Sequence, residues 1–233
     1  MPDVLVLGPF NIPTYGVSLI VGVLVFSALV PRLASTFSLG RAIAEEVASR
    51  AVLGLIVGAK LADVLRSPAT FLARPRLLLA LPRGPEPLIG ALLGMVLFTL
   101  PVWWPARRHA VGLLDIVAVP LLTMGAVVSA GSGGPRAVPL GLGFALAAAA
   151  TYALRTRGRF PGHVALAAVV FGSLAVAAGD LLGPAPVSPF GVSGTQLAAG
   201  AAGGGAYVAA LWLERRVGRA PLQPQTPHPT AGG

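Results

Sequence analysis

Four ionisable residues, Lys60, Asp63, Asp115 and Asp180, stand inside runs that are otherwise apolar. A charge at the centre of a membrane helix costs about 2.5–3.5 kcal/mol, so such residues mark either a chemical site or charges that neutralise one another. Lys60 and Asp63 are three apart and share one helix face, which makes mutual neutralisation available to them. Asp115 follows the basic Arg107-Arg108-His109 stretch and falls where a helix would begin. A carboxylate there meets the positive end of the helix dipole, so capping and proton transfer are both open to it. Asp180 comes just before Leu181-Leu-Gly-Pro184, either at a membrane interface or against a neighbouring helix. Tyr15-Gly16 opens the first apolar run, where a tyrosine ring anchors among lipid headgroups.

Other chemistries lack their residues. There is no cysteine, which removes disulfides, thiolate nucleophiles and cysteine metal sites, and His109, His163 and His228 are too scattered for a metal cluster. Phosphate-loop and dinucleotide-binding fingerprints are missing as well. No metal and no cofactor is expected.

The elements that must hold these residues are membrane helices. Hydrophobic residues make up 55% of the chain and charged ones 11%, against roughly 25% charged in soluble domains. With a mean hydropathy of +0.80, lipid is the main solvent. Runs long enough to cross a bilayer lie near 15–30, 47–65, 88–104, 113–130, 138–154, 164–182 and 195–213. The expected fold class is therefore an all-α integral membrane bundle of about seven transmembrane helices, a single domain over 1–220, followed by a disordered cytoplasmic tail over 221–233. The start, Met1-Pro-Asp3, lacks the basic region and cleavage pattern of a signal peptide, so the first run reads as a retained helix.

A net charge of +9 would point to nucleic acid in a soluble protein, but here the basic residues punctuate apolar runs and a membrane surface is the simpler partner. One set of alternate connections carries Arg32 and Arg41, Arg107 and Arg108, Arg155, Arg157 and Arg159, then Arg215, Arg216 and Arg219. Lysine and arginine are retained on the cytoplasmic side during insertion, which puts the N-terminus outside and the C-terminus in the cytoplasm. Arg66, Arg74, Arg76 and Arg83 then fall on the outer side, in a proline-rich stretch over 66–87 with an apolar centre. Either that stretch is an interfacial or re-entrant segment lying along anionic headgroups, the favoured reading, or the run near 47–65 does not cross the membrane. Small residues crowd several runs, including Gly203-Gly-Gly205, and such surfaces let helices pack closely in lipid.

The order of short motifs resembles bacterial prolipoprotein diacylglyceryl transferases. Gly8-Pro-Phe-Asn-Ile-Pro-Thr-Tyr-Gly-Val17 and Gly54-Leu-Ile-Val-Gly-Ala-Lys-Leu-Ala-Asp-Val-Leu65 are similar to the family's opening and second helix. Pro87-Leu-Ile-Gly-Ala-Leu-Leu-Gly94 stands where the family has a histidine-containing loop, and Leu114-Asp-Ile-Val-Ala-Val-Pro-Leu121 where it has an aspartate-to-proline motif. Ser193-Gly-Thr-Gln-Leu197 resembles the start of the last helix.

The resemblance implies an enzyme of the bacterial cytoplasmic (inner) membrane that moves diacylglyceryl from phosphatidylglycerol to the lipobox cysteine of a preprolipoprotein signal peptide. It implies lipid binding at Tyr15, Gly16, Lys60, Gly90 and Gln196, with Asp180 and Asp115 as the carboxylates left for catalysis. The family's histidine falls at Ile89, its signature arginine near Ala130, its asparagine near Gly133 and its sixth-helix arginine near Val176. Arg136 replaces the lost arginine if the loop is realigned. Transition-state donors are worth about 3–4 kcal/mol each, so a chain without these groups should lose ordinary turnover. Rival expectations are a non-catalytic phospholipid-binding or lipoprotein-interacting membrane protein and, more remotely, a small transporter.

Overall fold

The computed structural model describes residues 4–7, 10–34, 41–79, 88–103, 110–157, 160, 162–181 and 194–217. The tail over 221–233, the basic residues 107–109 and Arg83 lie outside the described residues. The described chain is helical except at its start, where β1 (Val4–Leu7) pairs antiparallel with β2 (Phe10–Pro13), Leu7 opposite Phe10. The all-α expectation holds for the body of the chain and is corrected only at this hairpin: valine- and isoleucine-containing segments too short to span a bilayer satisfy their backbone groups by pairing.

Eight α-helices follow among the described residues: α1 (Thr14–Ala34), α2 (Arg41–Arg66), α3 (Pro68–Ala73), α4 (Leu88–Trp103), α5 (Ala110–Ala130), α6 (Ala137–Leu154), α7 (His163–Leu181) and α8 (Gly194–Val217). Seven of them overlie the apolar runs, and α3 is the short exception. Among the described residues, four segments are long and apolar enough to cross a membrane: Thr14–Ala34, Gly112–Ala130, Ala137–Leu154 and His163–Leu181. The apolar part of α4, Gly90–Val102, is shorter. Charge interrupts α2, whose first turns carry the exposed i,i+4 pairs Arg41–Glu45 and Glu46–Arg50, each at 2.7 Å.

Large side chains such as Leu24, Leu146, Leu174 and Val208 are exposed around the bundle, a surface that suits acyl chains. The interior holds Phe26 and Val30 of α1, Ala48 and Leu55 of α2, Ile116 and Leu122 of α5, and Val164 of α7. Where lipid is as apolar as the side chains, close approach of backbones has to bring the helices together. The tightest example joins α2 to α4. A Cβ on Gly54 would strike the Gly94 carbonyl, and one on Gly58 the Gly90 carbonyl, with the reverse contacts equally forbidden. Two glycine pairs at a spacing of four thus lock these helices antiparallel.

The same contacts fix how the helices run. Gly22 lies against Met124 and Val128 while Gly131 meets Ser18, so α1 and α5 are antiparallel; Gly143 meets Ala175 and Gly179 meets Leu140, so α6 and α7 are too. Gly203 lies against Ser173, so α8 packs beside α7. Val23 and Phe26, Ala51, Val52 and Leu55, Met95 and Met124 share one level, around a narrow apolar cleft between α1, α2, α4 and α5. One end of the bundle consequently gathers the start of α1, the ends of α2, α5 and α7, and the starts of α4 and α6. Tyr15, Lys60, Gly90, Arg136 and Asp180 belong to this end, and Asp115 belongs to the other.

Candidate functional site

At the Tyr15 end, α5 turns back into α6 through 131–136, and the turn is built from backbone freedom. Gly133 and Gly134 have φ of 73° and 77°, a region that disfavours residues with a Cβ. Gly131 lies so close to Ser18 that a methyl group there would collide with the serine side chain. Ser132 donates its hydroxyl to the Ser129 carbonyl at 2.7 Å, and Ser18 donates to the Tyr15 carbonyl at 2.9 Å. The turn is therefore seated on the first turn of α1, where Tyr15 and Gly16 are buried. Burial of Tyr15 differs from a ring anchored among headgroups.

Arg136 leaves this turn as the residue preceding α6. Its Nη1 donates to Asp180 Oδ1 at 3.4 Å, with Asp180 mostly buried and Arg136 about one third exposed. The pairing depends on a close approach of α6 and α7. Leu140, one turn after Arg136, packs where a Cβ on Gly179 would be, and Asp180 is the next residue. Both charges oppose their own helix dipoles: a cation stands at the positive start of α6 and an anion in the last turn of α7. Each helix end is tolerable because the other supplies the counter-charge. What results is a guanidinium about one third exposed and braced by a carboxylate, a group whose charge and planar fork suit an anion.

The other expected site residues divide between this end and elsewhere. Lys60 is partly buried near the end of α2, on the Tyr15 side, and Gln196 is partly buried in the first turn of α8. Gly90 serves the contact of α4 with α2, where a Cβ would meet Ala62 and the Gly58 carbonyl.

Asp115 is elsewhere altogether. It is 3% exposed at the opposite end, and its carboxylate bridges from α5 to the start of α7. Oδ2 accepts from the Gly162 amide at 2.7 Å and Oδ1 from the Ala165 amide at 2.8 Å. Gly162 takes φ 91°, which turns its amide toward the acid. Asp115 does not stand at the start of its own helix as expected, because α5 begins five residues earlier at Ala110; the amides it meets lie at the start of α7. His163 beside it lies within reach of the Phe160 carbonyl at 2.8 Å and the Leu154 carbonyl at 3.3 Å. With two amides bound and burial nearly complete, Asp115 is arranged to hold helices together.

Sequence reading missed Ser18, Gly131 and the α2–α4 glycine lock. The lock had a visible signal, small residues four apart in both helices, at Gly54 and Gly58 and at Gly90 and Gly94.

The family model described as "LGT: Prolipoprotein diacylglyceryl transferase" matches residues 2–131, more than half of the chain. That stretch holds Tyr15, Lys60, Gly90 and Asp115 and stops five residues before Arg136. No curated protein and no solved structure matches the chain.

Proposed function

Because the chain belongs to the prolipoprotein diacylglyceryl transferase family, we propose that the Tyr15 end of the bundle receives the headgroup of phosphatidylglycerol, with Arg136 as the cation that takes the phosphate. The observation carrying this reading is the Arg136–Asp180 pair, seated by the glycine turn on the buried start of α1. A charge-assisted hydrogen bond to phosphate is worth about 1.5–3 kcal/mol, enough to hold a headgroup that lateral diffusion supplies at high local concentration. Asp180 fixes the guanidinium, and Lys60 adds positive potential on the same side.

In the proposed topology seven helices cross the bacterial cytoplasmic membrane. The N-terminus and the Tyr15 end face outward, and the C-terminus faces the cytoplasm with Arg32, Arg41, Arg155 and Arg215. Outward placement brings the site to the side where a lipobox cysteine and its signal peptide are presented. In the family reaction the cysteine sulfur attacks the glycerol carbon that bears the phosphate ester. The carbon–oxygen bond breaks, glycerol phosphate leaves and the thiol proton passes to a base. Arg136 suits the leaving phosphate. Asp180 is the carboxylate paired with it, and its Oδ1 is already engaged by the guanidinium. The geometry therefore supports lipid binding more strongly than rapid transfer.

The chain purified in nanodiscs and transferred to the gas phase is expected to retain phosphatidylglycerol, and Arg136→Gln to lower retention about tenfold or more. Unchanged retention in Arg136→Gln would overturn the assignment. A lipobox peptide incubated with the same nanodiscs reports the chemistry separately. A thioether product lost in Asp180→Asn identifies the transferase, and retained lipid without labelled peptide identifies a lipid-binding pseudoenzyme.

A further inference from the structure

The segment between α2 and α4 has features that lipid binding at Arg136 leaves unexplained. Ser67, with φ −141° and ψ 60°, breaks the helix after Arg66, and Pro68 starts α3 in its first turn. The Arg74 amide closes α3 onto the Thr70 carbonyl, and a 3-10 turn, Pro75–Leu79, follows. No residue of α3 is buried. Leu72 is 85% exposed and Leu65, just before the break, is 80% exposed, while Arg74 and Arg76 are exposed beside them. In water this is an unfavourable surface, because two leucines stand largely uncovered. At the rim of a membrane it is a matched one: leucines enter the acyl boundary and arginines extend to the phosphates.

We infer that α3 and its 3-10 turn form a docking surface for the anionic phospholipid headgroups of the membrane around the bundle, with Leu65 and Leu72 inserted and Arg74 and Arg76 on the phosphates. The partner follows from charge complementarity. The described stretch after Asp63 carries Arg66, Arg74 and Arg76 and no acid, so zwitterionic lipid offers it less than anionic lipid does. Two prolines fix the path of this short segment and reduce the entropy lost on docking. The surface sits at the α2 end that carries Lys60, where it raises the local share of anionic lipid beside the proposed headgroup site. The inference rests on the membrane reading above, and Arg136 takes no part in it.

The cysteine-free chain allows a direct test. A bimane probe on Leu72→Cys, in nanodiscs of phosphatidylcholine with or without phosphatidylglycerol, is read with lipids brominated high on the acyl chain. Strong quenching is expected with phosphatidylglycerol. In the Arg74→Gln/Arg76→Gln background the preference for phosphatidylglycerol should fall about fivefold for each arginine removed. A probe equally open to water in both lipids overturns the inference, as does quenching indifferent to the two arginines or quenching that requires an added lipobox peptide. If the probe result fails in a chain that still retains phosphatidylglycerol through Arg136, the docking surface alone is lost and the headgroup site stands.

Discussion

Each end of the bundle holds one acid under cover, and the two acids stand in opposite relations to the helices around them. Asp115 lies in the second turn of α5 and accepts from two amides at the start of α7, whose dipole favours its charge. Asp180 lies in the last turn of α7, where the helix disfavours an anion, and it answers Arg136, which the start of α6 disfavours as a cation. At the first end the acid follows the local rule. At the other, two unfavourable placements persist because they face each other. Departures from local preference of this kind concentrate at working sites, where stability is given up to keep a group available. On the proposed reading Asp115 belongs to the architecture, and Arg136 with Asp180 to binding.

The sharpest way to break that division is Asp115→Ala. It leaves the Gly162 and Ala165 amides without their acceptor, at about 1–3 kcal/mol for each buried group. Thermal unfolding in detergent should therefore show a larger loss than a substitution in the Arg136 turn produces, with Asp115→Asn recovering part of it through its remaining carbonyl oxygen. Phosphatidylglycerol retention by the folded fraction should stay near that of the parent chain. Lost retention in a stable Asp115→Asn chain would move the acid from architecture to the site.

A smaller effect is expected from Gly134→Ala at the Tyr15 end. Nothing lies within 4 Å of the added methyl group, so the cost is the backbone conformation alone, φ +77°. Left-handed backbone with a Cβ costs about 1–2 kcal/mol. Because this turn carries Arg136, retention should fall with stability, the reverse of the pattern at Asp115. An alanine chain with unchanged retention would show that the turn does not aim the guanidinium.

The difference between the ends also explains what the sequence disclosed. Helix positions were legible because apolar runs of membrane length have few other interpretations, and α1, α5, α6 and α7 fall on the runs near 15–30, 113–130, 138–154 and 164–182. Asp115 was half legible: its place after a basic stretch marked a helix start, but an acid can serve a helix far along the chain, and its amides are 47 and 50 residues away. Arg136 and Asp180 are 44 residues apart, and their meeting depends on two left-handed glycines and on Leu140 filling the space above Gly179. Neither condition leaves a periodic trace. The β-hairpin was overlooked because a search for membrane-length runs passes over segments of four residues.

The finest test exchanges the charges, Arg136→Asp together with Asp180→Arg. The ion pair is preserved in sign and approximate place, so a purely structural bridge would change little. Each charge now agrees with its own helix, however: an anion at the start of α6 and a cation at the end of α7, with about 0.3–1 kcal/mol gained at each terminus. The exchanged chain is expected to melt slightly higher than the parent while retaining less phosphatidylglycerol, since the cation moves from the glycine turn to the body of α7 and loses its aim at the headgroup. Higher stability with weaker binding would identify the native orientation as one held for the ligand. If the exchange instead lowered stability and left retention intact, the dipole argument would fail, and the native pair would be an ordinary brace between α6 and α7.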